Sequence, residues 1–133
     1  MKPKLYLETT VVSYLAARPS RDLVMAAHQQ TTREWWEKRR TDFVNFISRL
    51  VWQEASSGDR EAVKQRLKIL KPMRWLQFRK EVTNLAKALL ATGPLPSKAT
   101  DDAVHIALAA VHGMHFLLTW NCAHINNAEM IGG

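Results

Sequence analysis

One cysteine, Cys122, stands in 133 residues, so no internal disulfide can brace the chain and no cysteine pair can hold a structural zinc. Five glycines and five prolines are too few for a collagen-like or linker-like polymer. Carboxylates are the minority charge. Twelve Asp and Glu against nineteen Lys and Arg leave a net +7 and a pI near 9.9, which points to a polyanionic partner, nucleic acid first among them. Also missing is a long apolar amino terminus, because Glu8 interrupts it after Leu5-Tyr6-Leu7, so the sequence predicts no signal peptide and, with its lone thiol, a reducing cytoplasm.

A hydrophobic fraction of 47% excludes a disordered chain and suffices for the core of one domain, expected to run over 1–133. Residues 103–128 carry no formal charge and are long enough to cross a bilayer. Composition argues against a span. His105, His112, Gly113, His115, Asn121, His124, Asn126 and Asn127 would bring polar groups or a helix break into lipid, whereas a buried helix, a turn and a strand accommodate them. No membrane association is expected.

Charge is divided unevenly. Residues 1–98 hold all nineteen basic side chains and nine acids, while residues 99–133 hold only Asp101, Asp102 and Glu129. The densest basic stretch is 60–80, with Arg60, Lys64, Arg66, Lys68, Lys71, Arg74, Arg79 and Lys80 against Glu61. It is either a solvated helix face or a phosphate-contacting one.

Lys4–Leu7 reads as a short strand, with Thr9 and Thr10 able to cap a helix that stops before Pro19. Ser20 or Asp22 opens a second helix that closes on Lys38-Arg39-Arg40, where a helix C-terminus favours cations. Phe43, Phe46 and Ile47 predict a strand running to Leu50 and Val51, with helix from Trp52 to Ala55 and a break at Ser57-Gly58-Asp59. Val63, Leu67 and Leu70 fall on one face of an amphipathic basic helix. A third strand is expected over Pro72–Leu76, and Val82 to Leu90 mark a helix ended by Thr92-Gly93-Pro94. Thr100 caps the next helix, from about Asp101 to His112; Gly113 stops it, and Phe116–Thr119 reads as a strand buried on both faces. There is no internal repeat. Strands alternating with helices predict an α/β domain with a parallel sheet of about four strands, covered on both sides.

In such sheets, groups at the carboxyl ends of neighbouring strands converge on one crevice. Glu8 closes strand one, Glu54 follows strand two, Asp102 lies in the first turn of the late helix and Asn121 follows the last strand. Clustered carboxylates repel one another, so a site that gathers them calls for a divalent cation. Oxygen ligands select Mg²⁺ or Mn²⁺, which can supply a bound water as nucleophile and stabilise charge on a phosphoryl oxygen. Thr9, Ser13 and Thr119 stand nearby as groups for a metal water or a phosphate.

These residues carry a resemblance. Leu5-Tyr6-Leu7-Glu8-Thr9-Thr10-Val11-Val12-Ser13-Tyr14-Leu15, then Val51-Trp52-Gln53-Glu54, Asp101-Asp102-Ala103-Val104-His105-Ile106-Ala107 and Leu117-Leu118-Thr119-Trp120-Asn121 are similar, jointly and in this order, to a PIN domain, in particular to the VapC-like ribonuclease toxins of toxin-antitoxin pairs. The resemblance implies a three-layer α/β/α PIN-like fold and a Mg²⁺- or Mn²⁺-dependent endoribonuclease. It also implies a dimer whose partners are RNA and a blocking antitoxin. Carried over, the catalytic set is Glu8, Glu54, Asp102 and Asn121, with Glu8, Glu54 and Asp102 as metal ligands. The family usually has Asp at the position of Glu8 and an acid at that of Asn121, and commonly continues past Gly133 into one more strand. Two substitutions in the acid set leave an alternative of another class, a weakened PIN-like binding module that contacts RNA or an antitoxin without turning over.

Rival chemistries are less well supplied. His105, His112 and His115 lack a cysteine pair or carboxylate to complete a zinc tetrahedron, and His105 reads as a helix-packing residue. Arg21 and His28 have the six-residue separation of a metal-free HEPN ribonuclease, a family that is all-helical. Trp35, Trp36, Trp52 and Trp75 read as core or dimer-interface residues rather than base-stacking ones.

Overall fold

Leu5, Tyr6 and Leu7 are all essentially inaccessible, a burial without alternation that a strand reaches only when both its faces are covered. In the computed structural model, which describes residues 1–91 and 100–121, this segment is strand β1 (Lys4–Leu7) at the inside of a sheet. It is followed by α1 (Thr9–Ala16), α2 (Leu23–Arg39), a 3₁₀ turn (Arg40–Asp42), β2 (Val44–Ser48), α3 (Arg49–Ala55) and α4 (Arg60–Leu70). Then come β3 (Arg74–Leu76), α5 (Lys80–Ala91), α6 (Thr100–Val111) and β4 (Phe116–Leu118). All pairings are parallel, in the order β3-β2-β1-β4. Register places Tyr6 opposite Phe46 on one side and Leu117 on the other. The architecture is the expected three-layer α/β/α, PIN-like fold with a parallel sheet of four strands.

Helix α1 packs on α2, α3 and α4, and α5 packs on α6. Small residues make the second contact close: Ala86 of α5 and Ala103 and Ala107 of α6 are buried, and the last two, four residues apart, lie on one helical face. The core joins these to Val11, Val12, Ile47, Val51, Leu70 and Leu108. Burial of a side chain such as Leu70 contributes roughly 1.5–3 kcal/mol.

Several features differ from the sequence expectation, among them strand three, which begins at Arg74 instead of Pro72. Strand two ends at Ser48, because the Ser48 side chain accepts from the Val51 backbone N–H and starts α3 at Arg49; Leu50 and Val51 are helical. The helix after β1 takes Glu8 in the capping position, with Thr9 and Thr10 already inside its first turn. Strand β4 is at the edge of the sheet among the described residues, and Phe116 is 53% exposed, so its unbroken apolar run is not a mark of burial on both faces. Asp22 caps α2 as expected, accepting from Met25 N–H, and Gly113, at φ +65, takes the left-handed turn that stops α6. The expected stop at Thr92-Gly93-Pro94 and everything past Asn121 lie outside the described residues. Among the described residues no helix is long and apolar enough to cross a membrane.

Candidate functional site

The strand ends bring the predicted residues to one cavity of about 530 Å³, whose walls include Glu8, Glu54, Asp102, Asn121, Ser13 and Arg66. Glu8 arrives by the shortest route. It is the residue after β1 and caps α1, and it is 4% exposed. Its Oε1 accepts from Thr10 Oγ1 at 2.5 Å and from Thr119 Oγ1 at 2.7 Å. Those hydroxyls come from opposite sides, since Thr10 lies in α1 and Thr119 follows β4. Thr10 also accepts from the Trp120 backbone N–H at 2.9 Å, which ties the β4 exit to α1.

Glu54 sits in the last turn of α3. Its Oε1 accepts from Thr9 Oγ1 at 2.5 Å and lies 2.7 Å from Nε2 of His105, a residue of α6 that is 1% exposed. Burial pushes the Glu54 carboxyl up, but the hydrogen bond and electrostatic attraction of His105, followed by the hydrogen bonds of Thr9 and Asp101, outweigh it and hold the group below the usual range. The neighbouring Asp101 goes the other way. Partial burial and the charge of Glu54 raise its carboxyl.

Asp102 and Asn121 form a pair. Asn121 Nδ2 donates to Asp102 Oδ1 at 2.8 Å, and the Asn121 backbone N–H donates to Thr119 Oγ1 at 2.9 Å. An aspartate at 121 would bring a second negative charge against Asp102, whereas the amide brings a donor. The substitution is therefore compatible with the acid beside it.

Oxygen atoms of Glu8 and Glu54 and a ring nitrogen of His105 all lie within 4.8 Å of one another. Two buried or half-buried carboxylates, with Asp102 and the Asn121 carbonyl on the same cavity, are a hard donor set that fits Mg²⁺ or Mn²⁺. The compact trio contains His105 in place of the expected Asp102, which lines the cavity one helical turn earlier in α6. His105 had a signal in the sequence that its reading as a packing residue passed over: it follows Asp102 by three positions, which is the same helical face. Thr9 and Thr119, expected near the site, do bind its carboxylates, and Thr10 does more than begin a helix.

Other readings lose their geometry. His112 Nε2 is at 2.7 Å from the Gln77 carbonyl and His115 Nδ1 accepts from the Lys4 N–H at 2.9 Å, so these rings are committed to separate backbone groups. His28 stacks on Trp120 with ring centroids 4.2 Å apart, and the parallel sheet excludes the all-helical class that the Arg21–His28 spacing suggested. Of the basic stretch 60–80, Arg66 reaches the cavity, and its guanidinium donates to the Ala55 and Ser57 carbonyls at 2.9 and 2.6 Å. It braces the α3–α4 turn at the cavity edge.

No family model matches the sequence, and no curated protein is significantly similar to it. The fold has a solved counterpart. It is similar to VapC20 of Mycobacterium tuberculosis, a toxin that cleaves the sarcin-ricin loop, with a TM-score of 0.68 over 92% of this chain and 94% of that one, at 17% identity. At that identity the likeness establishes a shared fold.

Proposed function

We propose that the chain is a metal-dependent endoribonuclease of the PIN type, acting as one domain over residues 1–133. The observation that carries this reading is the convergence of Glu8, Glu54, Asp102 and Asn121, from four separate segments, on one cavity at the carboxyl ends of a parallel sheet. Glu8, Glu54 and Asp102 would hold Mg²⁺ or Mn²⁺, directly or through water. The ion, when bound, supplies an activated water and neutralises charge on the phosphoryl oxygen.

The protein's own groups have separable tasks. Thr10 and Thr119 fix the Glu8 carboxylate, Thr9 fixes that of Glu54, and Asn121 fixes Asp102. Preset carboxylates need no reorganisation when substrate arrives. The net +7 charge supplies sequence-independent attraction for RNA, so binding weakens as salt rises. An antitoxin partner belongs to the same reading and is supported by the likeness to a VapC toxin, and we extend the proposal to a homodimer in the cytoplasm.

Asn121 also favours a second reading. Its amide removes one negative charge from the usual acid set, as a PIN-like module that binds RNA or an antitoxin without cleaving would require. Incubating labelled RNA with Mn²⁺ separates the two. The nuclease cuts, stops on chelation, and loses activity in the folded Glu54→Ala/Asp102→Ala double variant; binding without any cutting selects the module, and undiminished cutting by the double variant removes the site assignment.

A further inference from the structure

His105 is close enough to the carboxylates to be read as a metal ligand, but its surroundings say otherwise. It belongs to a buried chain of hydrogen bonds whose other members are Tyr6 and Ser48, both fully buried. Tyr6 Oη lies 2.7 Å from His105 Nδ1 and 2.7 Å from Ser48 Oγ, and Ser48 Oγ accepts from the Val51 backbone N–H at 3.4 Å. At the other end His105 Nε2 meets Glu54 Oε1 at 2.7 Å.

The links fix one proton. Glu54 is held ionised and only accepts, so Nε2 can meet its Oε1 at 2.7 Å only by carrying a hydrogen. Ser48 Oγ receives the Val51 N–H and, with a second lone pair, can either donate to Tyr6 Oη or accept from it. When Ser48 donates, Tyr6 donates on to Nδ1. Moving the ring proton from Nε2 to Nδ1 would set two lone pairs face to face between Nε2 and Glu54.

The ring of contacts also closes on itself. Val51 and Glu54 are one helical turn apart in α3, Tyr6 is in β1, Ser48 ends β2, and His105 is one turn beyond Asp102 in α6. A single imidazole thus spaces the helix bearing Asp102 from the helix bearing Glu54. We infer that His105 is a positioning residue: an Nε2-protonated donor that orients Glu54 and sets its separation from Asp102, and not a ligand to the metal. The inference rests on the proposed metal site for its purpose, though its hydrogen-bond half stands without it.

Three measurements test it. Long-range ¹H–¹⁵N correlation on the metal-free wild-type chain should show a proton on His105 Nε2; an unprotonated Nε2 overturns the inference. In the Mn²⁺ complex, electron spin-echo spectra should lack a directly coordinated nitrogen, and a ¹⁴N coupling lost in His105→Gln overturns it. By calorimetry, His105→Gln, which retains a donor, should bind Mn²⁺ within about threefold of wild type, while His105→Leu loses on the order of 10–100-fold. A folded His105→Leu protein with wild-type affinity overturns it as well; should that variant not fold, the tautomer and the glutamine variant still decide. Failure of the wild type to bind Mn²⁺ would end the metal-site proposal while leaving the tautomer result to judge His105.

Discussion

The two ends of the sheet are built from the same four strands and have opposite chemistry. At the carboxyl end lie Glu8, Glu54, Asp101 and Asp102, with hydroxyls and amides committed to them. At the amino end, a cleft of about 350 Å³ is lined by Lys2, Arg40 and Arg74 beside Trp36 and Asn45, with no carboxylate in its walls among the described residues. A parallel sheet explains the split. Helices that follow strands begin at the carboxyl end, where their N-termini favour anions, as Glu8 at the start of α1 illustrates, and α6, which leads into β4, also starts there with Asp102 in its first turn. Helices that precede strands finish at the other end, where C-termini favour cations: Lys38 and Arg39 close α2, and Lys68 closes α4. The comparison teaches that acid clustering at one end is helped by the fold, and that satisfaction differs too. At the carboxyl end Glu8, Glu54 and Asp102 each have an oxygen engaged by a side-chain donor, whereas Asn45 Oδ1 at the amino end is buried without a partner although its Nδ2 donates to the Arg40 carbonyl.

The contrast breaks most readily at the carboxylates. Glu8→Ala should lower Mn²⁺ affinity by tenfold or more, about 1.4 kcal/mol at least, while Arg40→Ala and Arg74→Ala leave it within about twofold; equal losses at both ends, read by calorimetry, would dissolve the distinction. Next in size is a comparison along β2. Ser48→Ala leaves the Tyr6 hydroxyl and the Val51 N–H without their partner and should cost about 1–3 kcal/mol in urea unfolding. Asn45→Leu removes an acceptor that has no partner together with one hydrogen bond, and should cost less than about 1 kcal/mol. A larger loss at Asn45 than at Ser48 would show that polar satisfaction does not separate the two ends of β2.

The smallest effect is electrostatic and depends on pH. Asp101 is raised in the folded chain, so its ionised form costs stability above its folded pKa, and that cost fades as pH falls through the ordinary value of 3.8. Asp101→Asn should therefore stabilise the metal-free protein at neutral pH, by less than about 1 kcal/mol because the group is exposed, and the gain should vanish near pH 3. Glu54 is shifted downward, so the stability its ionised form contributes is present above the ordinary glutamate value of 4.5 and lost as pH drops through the folded one. Thermal melts of wild type and Asp101→Asn across pH 3–7 check both signs.

Much of the architecture is legible in the sequence. Period and punctuation place β1, the start of α2 at Ser20 or Asp22, the break at Ser57-Gly58-Asp59 and the Gly113 stop, because these depend on contacts within a few residues. The four site positions are legible as well, since the parallel-sheet rule converts strand ends into neighbours. Two features escape. The apolar run Phe116–Leu118 looks the same whether a strand is central or at an edge, and pairing order decides that. His105 reads as packing because its partners, Tyr6 and Glu54, are 99 and 51 positions away.

By itself the amino-acid order determined the alternation of strands and helices and where the cations and acids lie along the chain. Those properties come from backbone preference and side-chain period, which act over one or two turns. Only the tertiary structure decided that Thr119 would hold Glu8, that Asn121 would hold Asp102, and that a proton on His105 would face Glu54. Hydrogen-bond direction is a property of atoms within about 3 Å of each other, and no spacing along a chain encodes which atoms those will be.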